Sequence, residues 1–542
     1  MGGDRHAVVA PRPTPGTVLW VVLGVAAPIG FLAVFFAYPV GRMLGLGLDG
    51  GAALEVLTRD RTIRILGLTV AQAAISAVAC TLIGLPIAHV LYRLRFRGQG
   101  VLRALVIVPF VMPTVVVGLA FRILLRDTPL DGTFGAILLA LVFFNVAVVV
   151  RTVGASWQGL DPRQEEAARS LGAGPARVFA TVTLPRLLPS IVSAASIVFL
   201  FCATAFGVVL VLGGTRFGTI ETEIWLLTTQ FLDLRGAAVL GLVQLVVVVL
   251  LLALAARARS VPQRRAFRHR RTTWADAPAI VFAAVVAALL ALPIVTLVIR
   301  SLQTREGWGL GNYLALAGTG TRNALAIPVW QALVNSLAFA AAATLIAMTI
   351  GLCASILLSR RPRSGLLRRG IELVDGALML PLGVSAVTVG FGFLIALNAP
   401  PLDLRSSPVL VPIAQALVAV PLVVRTVLPV LRGIDGRMRE SAATLGSPPW
   451  RVVATIDLGI AARPILAATG LAFAVSLGEF GATTFLSRPD QATLPVVIHR
   501  LVGLPGGDNL GMAVAASVVL SALTVAIIAL VERSRPSTIG GF

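Results

Sequence analysis

Residues 158–190 read QGLDPRQEEAARSLGAGPARVFATVTLPRLLPS, a polar, arginine-bearing stretch between two long apolar runs. Its residues predict two short surface helices. Asp161 is a good N-cap, and Pro162 suits the first helical position, where no backbone N–H is needed. Glu165 and Glu166 fall in the first turn, where acid complements the helix dipole. Ala167, Ala168 and Leu171 form a small, smooth face. Gly172 and Gly174 interrupt the helix, Pro175 opens the next, and Pro185 and Pro189 mark the return to apolar sequence. The pattern recurs in residues 432–465, RGIDGRMRESAATLGSPPWRVVATIDLGIAARPI, with Asp435, Glu440, Ala442, Leu445 and Gly446 in register.

Working outward, the register extends over most of the chain. Arg151 pairs with Arg425, Asp161 with Asp435, Glu166 with Glu440 and Gly172 with Gly446, all 274 residues apart. AFG at 205–207 pairs with EFG at 479–481 at the same offset. Upstream, Pro109 and Gly118 match Pro381 and Gly390 at an offset of 272. Such long-period self-similarity marks a duplication.

The apolar runs place the duplication in a membrane. Of 542 residues 57% are hydrophobic and 13% charged, and the mean hydropathy is +0.92. A soluble core has no use for that balance. The runs exceed what a membrane strand needs and do not alternate, so they are helices rather than barrel strands. Twelve spans are expected: 17–40, 65–91, 101–125, 133–153, 188–213 and 237–256, then 278–300, 331–358, 371–397, 408–428, 464–487 and 510–531. The expected fold is an all-α polytopic membrane protein of two parallel six-helix repeats, because six spans per half return each copy to the same side. Arginines concentrate in alternate loops, around Arg93–Arg103, Arg257–Arg271 and Arg360–Arg369. Positive loops stay inside, which puts both termini in the cytoplasm. The same topology role accounts for the net charge of +21 without a nucleic-acid partner.

Other absences narrow the chemistry. The chain contains no lysine. A Walker A loop needs one on the nucleotide phosphates, so ATP hydrolysis would have to come from a partner. Cys80, Cys202 and Cys353 all lie in apolar runs, and the four histidines show no ligand spacing, so neither a disulfide framework nor a metal site is expected.

Glu166, Ala167 and Ala168, with Gly172 and the Val182-x-Leu184-Pro185 ending, resemble the EAA loop of ATP-binding-cassette (ABC) importer permeases. The second copy keeps Glu440, Ala442 and Gly446 but has Ser441 for the first Ala and Gly459 for the Pro. These departures put the geometry of the second loop in question and predict unequal contacts. The resemblance implies a type I permease fold and two coupling helices that dock on an ATPase subunit, one copy per loop. It further implies an extracytoplasmic substrate-binding protein and a place in the bacterial cytoplasmic membrane. No cofactor is expected in this chain, since ATP and Mg2+ would sit on the ATPase, and the chain is expected to be a pore subunit, not an enzyme. The domains expected are an anchor span and outer loop at 1–61, a first transmembrane domain at 62–256, and a basic linker with a second anchor and outer loop at 257–330. A second transmembrane domain at 331–532 and a cytoplasmic tail at 533–542 follow. The fused layout is similar to the thiamine and ferric-iron permeases, and ILLALVFFNVAVVVRTV at 137–153 and ATAFGVVLVLGG at 203–214 resemble the thiamine type; the GEFGAT within SLGEFGATTFL at 476–486 is shared by several anion and cation permeases and selects no substrate.

Several residues remain open to two readings. Glu479 lies within the eleventh span, where an ionisable group is costly and a functional candidate by default. It is either a pathway residue favouring a cation such as thiamine or Fe3+, or a structural carboxylate capped by a neighbouring helix or near the outer interface. Asn145 is read as bridging helices, and Glu221 and Glu223 as outer-loop residues that solvate the loop or meet a binding protein. A secondary transporter driven by an ion gradient would suit twelve spans in two parallel halves, but would give the doubled loop no role. A membrane enzyme would need clustered His, Asp or Glu, and none appears. Charge reversal at Glu166, or Gly172→Pro, is expected to leave membrane insertion intact and to uncouple ATP hydrolysis from uptake; normal ATP-dependent uptake by both variants refutes the coupling assignment.

Overall fold

A computed structural model describes residues 26–48, 51–214, 216–257, 270–360, 365–398, 402–405 and 407–533. The first residues of the expected first span, the arginines at 259–268, Arg361, Arg363 and the tail from residue 534 lie outside these. Ten described helices are long and apolar enough to cross a membrane, and two sharply bent pairs bring the count to twelve.

The helices fall into two series with the same order. The first is α1 (Ala26–Gly47), α2 (Asp60–Arg93), α3 (Gln99–Val111), α4 (Thr114–Leu124), α5 (Phe134–Gln158), α6 (Pro162–Ser170), α7 (Pro175–Ala203), α8 (Gly207–Gly213), α9 (Ile220–Thr229) and α10 (Leu234–Arg257). The second is α11 (Ala277–Ser301), α12 (Val329–Ser359), α13 (Gly365–Gly383), α14 (Ala386–Ala396), α15 (Leu410–Gly433), α16 (Gly436–Thr444), α17 (Pro449–Leu477), α18 (Gly481–Leu486), α19 (Leu494–Gly503) and α20 (Gly507–Arg533). Each helix of the first series has its counterpart ten labels later.

Four of the expected spans are not simple rods. The run at 101–125 is two helices, α3 and α4, bent by 107°. Pro113 explains the elbow: Met112, ahead of it, is held extended at ψ 141°, and the proline cannot continue the ladder. The run at 371–397 bends by 98° between α13 and α14, where Ser385 is extended and caps α14 by accepting the Val387 N–H at 3.0 Å. The runs at 188–213 and 464–487 break at 204–206 and 478–480, so α7 is followed by α8 and α17 by α18. The loops after those breaks, expected outside, hold α9 and α19. At ten residues each they are too short to cross the bilayer, yet most of their side chains are buried. Their N-termini are met by hydroxyls from the long helices: Thr69 of α2 accepts the Ile220 N–H at 3.1 Å, and Ser336 of α12 accepts the Leu494 N–H at 2.7 Å.

The halves are interlocked. α1 packs on α10 of its own half and on α14 of the other; α11 packs on α20 of its own half and on α2, α3 and α4 of the other. Accordingly one apolar core joins the first half to α11, α19, α20 and parts of α12 and α14, and a second joins other residues of the second half to Phe31 and Leu32 of α1. Between the cores, α4, α8 and α9 face α14, α18 and α19: α9 touches α14, and α19 touches α4.

The repeated glycines sit where these helices cross. A Cβ on Gly207 would lie 2.5 Å from the Thr114 hydroxyl, and one on Gly390 would lie 2.7 Å from the Cα of Ala482. Backbone cannot yield as a flexible side chain can. Gly390→Ala is therefore expected to destabilise the chain by about 1–3 kcal/mol, an overpacking cost. Gly45→Ala, with nothing near the added methyl, is expected to be neutral within about 0.5 kcal/mol. Apparent Tm in detergent distinguishes them, and equal Tm values for the two variants contradict the crossing.

Candidate functional site

The chain presents two candidate functional regions: a pair of exposed surface helices and a seam where the halves meet. The surface helices α6 and α16 are the same object built twice. Asp161 accepts the Arg163 N–H and Asp435 the Arg437 N–H, both at 3.0 Å. At the other end Gly172 and Gly446 adopt φ of 83° and 81°. The Ala173 N–H reaches the Ala168 carbonyl at 3.1 Å and the Ser447 N–H the Ala442 carbonyl at 3.0 Å, closing Schellman turns. Glycine is required there because a side chain is strained at positive φ. Short helices at 175–178 and 449–452 follow, then π-helical turns at Phe179–Thr183 and Val453–Asp457. Ser441 and Gly459 were expected to alter the second loop; its helix bounds, cap and turn instead follow the first at a constant offset.

Neither helix buries a residue. Glu166, Ala167, Gly172, Glu440, Ser441 and Gly446 are exposed, Ala168 and Ala442 half-buried. Among the described residues the Glu166 and Glu440 carboxylates have no ion-pair partner, which leaves them free for another chain. Just past each helix, Leu171 is 88% exposed and Leu445 86%. Sequence reading placed Leu171 on a smooth face; its counterpart shows that each helix offers an identical leucine knob.

The seam carries a different chemistry. Phe206 of the first half stacks on Phe480 of the second, ring centroids 5.4 Å apart and planes 22° from parallel. These residues are repeat mates, and a residue that touches its own mate lies close to the axis relating the halves. Trp225 and His499 are also mates, and their rings meet edge-on at 6.2 Å. His499 also lies 5.4 Å from Phe480. The four rings thus make one cluster across the axis. The Trp225 Nε1 and His499 Nδ1 atoms are buried and lack hydrogen-bond partners.

Beside the cluster, Glu221 and Glu223 overturn the expectation of outer-loop solvation. Because α9 turns into the bundle, Glu221 is fully buried and Glu223 nearly so. Glu223 accepts two bonds from the Arg61 guanidinium, at 2.7 and 2.9 Å. Glu221 Oε2 accepts the Ser385 hydroxyl at 2.6 Å, a bond between the halves, while Oε1 has no partner. Glu221 stands one helical turn before Trp225, on the same face. Sequence reading named both acids but placed them in an outer loop; the only signal for burial was two acids two residues apart in a largely apolar stretch.

Glu479 is buried and engaged by the start of the helix that follows it. Its carboxylate accepts the Ala482 and Thr483 N–H groups at 2.8 and 3.0 Å and the Thr483 hydroxyl, capping α18. Its mate is Ala205, so the first half has no equivalent acid. Asn145 donates to the Leu141 carbonyl at 3.0 Å and to Cys202 Sγ of α7 at 3.4 Å, a contact between helices.

Residues 80–266 match the family described as binding-protein-dependent transport system inner membrane component. The chain is 26% identical over 526 residues to the thiamine transport system permease protein ThiP of Brucella abortus, covering 92% of this chain and 93% of that one. It is 26% identical over 517 residues to ThiP of Escherichia coli, covering 91% and 93%. The molybdenum transport system permease protein ModB of Escherichia coli is 34% identical over 196 residues, 34% of this chain and 83% of ModB. Permeases of this family are multi-pass inner-membrane proteins that work with an ATPase and a substrate-binding protein. The paired surface helices, the duplicated bundle and these likenesses agree: the chain belongs to the binding-protein-dependent inner membrane components, as a fused type I permease subunit of an ABC importer rather than an enzyme.

Proposed function

We propose that this permease imports thiamine or a closely related cationic heteroaromatic solute. The observation that carries this reading is the seam: four aromatic rings and one buried carboxylate gathered where the halves meet. Thiamine joins an aminopyrimidine to a thiazolium cation. Aromatic faces hold a flat cation by stacking and cation–π attraction, and the Glu221 carboxylate supplies the opposite charge. The likeness to ThiP along nearly the whole chain points the same way. Glu479 lies one residue from Phe480, with its oxygens held on α18. Ferric iron is the next substrate in order.

In this proposal a substrate-binding protein delivers the solute at the outer face. The Phe206–Phe480 stack is the closed constriction, and alternating access parts α4, α8 and α9 from α14, α18 and α19. The transport domains are residues 62–256 and 331–532, each preceded by an anchor span, with both termini and the helices α6 and α16 in the cytoplasm. Two ATPase copies dock, one on each helix, and bind the ATP and Mg2+.

Uptake by proteoliposomes holding the permease, its ATPase and its binding protein tests the substrate. Labelled thiamine is expected to accumulate with ATP, and Glu221→Gln to lower that uptake about tenfold, the equivalent of ~1.4 kcal/mol of lost charge attraction. Accumulation of ferric iron but not thiamine refutes the assignment. Docking is tested separately by titrating the ATPase onto the solubilised permease. Burying one leucine side chain contributes about 1.5–3 kcal/mol, so Leu171→Ala with Leu445→Ala is expected to weaken association at least tenfold; unchanged affinity removes the knobs from the interface.

A further inference from the structure

Helices α6 and α16 bury no side chain, so packing alone does not tie them to the bundle. What does tie them is an ionic junction below each helix. In the first half Glu165 of α6 accepts Arg93 Nη2 at 2.7 Å and the Thr183 hydroxyl at 3.0 Å. Arg93 ends α2 and also donates to the Leu160 carbonyl at 3.2 Å. Thr183 ends the π-helical turn of α7. One carboxylate thus joins the surface helix, the entry of α7 and the end of α2.

The second half makes the same three-way joint from different residues. Here the acid is Asp457, which ends the π-helical turn of α17 and is 1% exposed. It accepts Arg439 Nε of α16 at 2.7 Å and Arg360 Nη2, just past α12, at 2.7 Å. Arg439 also donates to the Leu431 carbonyl of α15 at 3.1 Å. In the repeat register Glu165 corresponds to Arg439 and Thr183 to Asp457. The surface helix has exchanged an acid for a base, and the π turn a hydroxyl for an acid. Either exchange alone breaks the joint: a glutamate at 439 would face Asp457, and a threonine at 457 would leave two guanidiniums without an anion. An uncompensated charge in a buried position is strongly destabilising.

We propose that these junctions are the levers that carry the ATPase stroke from α6 and α16 into the transmembrane helices, and that the two chemistries are interchangeable. Glu165, Thr183 and Arg93, like Arg439, Asp457 and Arg360, act as positioning residues: they hold a docking helix rigid against two spans, so that its displacement moves the spans. The proposal rests on the docking role of α6 and α16.

The test is a graft in the full reconstituted complex, with the solute that the cognate binding protein carries. The readout is solute imported per ATP hydrolysed, alongside the amount of co-purifying ATPase. Arg439→Glu and Asp457→Thr are each expected to retain the ATPase while import per ATP falls at least tenfold. The double variant R439E/D457T, which rebuilds the first junction around Arg360, is expected to return within twofold of the parent. Arg439→Lys keeps the charge but cannot serve both Asp457 and the Leu431 carbonyl; import per ATP is expected to fall severalfold with the fold intact. Parental coupling in the single variants or in Arg439→Lys overturns the lever. A double variant as impaired as its singles overturns interchangeability, and it does so equally if all three fail to accumulate. A parent chain that recruits no ATPase would instead overturn the docking reading.

Discussion

Six short helices, α4, α8, α9, α14, α18 and α19, begin inside this bundle, and the first N–H groups of a helix have no partner within it. Away from water such groups must be satisfied by the protein itself, and that requirement shapes the middle of the molecule. Ser385 caps α14, Glu479 caps α18, Thr69 receives the start of α9 and Ser336 the start of α19. These four partners let the chain stop and restart inside the bundle. The breaks in turn allow side chains from both halves to meet at the seam. The glycine crossings serve the same end by letting α4 lie against α8 and α14 against α18 at backbone distance.

Joining two copies in one chain frees each from having to repeat the other. Where mates meet across the axis, one pair is conserved in type, Phe206 with Phe480, and one has diverged, Trp225 with His499. The buried acid Glu221 has Pro495 as its mate, and Glu479 has Ala205. The seam is consequently asymmetric: each half contributes one acid, at positions that are not mates. The junctions beneath α6 and α16 show divergence of another kind: geometry kept, chemistry exchanged.

Much of this was legible in residue order, because the relevant signals are local or periodic. A run of about twenty apolar residues is long enough to span, and Asp161–Pro162 and Gly172 define a helix by cap and stop; their copies at 435–446 repeat those rules and so the same backbone. Less legible were the elbows. Apolar composition is the same for a straight span and for a bent pair, and Pro113 and Ser385 act through backbone geometry that hydropathy does not report. Glu221 and Glu223 were misplaced for a related reason, since a ten-residue helix that enters and returns looks like a loop when only its length is known.

The sequence by itself determined the class, the duplication and the two surface helices, each encoded by contiguous residues or by a constant spacing. Tertiary structure alone decided which distant residues share a charge or a face. Glu221 with Ser385, Phe206 with Phe480, Glu165 with Arg93, and Asp457 with both Arg360 and Arg439 are joined by packing between helices far apart in the chain. Such contacts depend on the relative placement of whole helices, and no local pattern of residues specifies that placement.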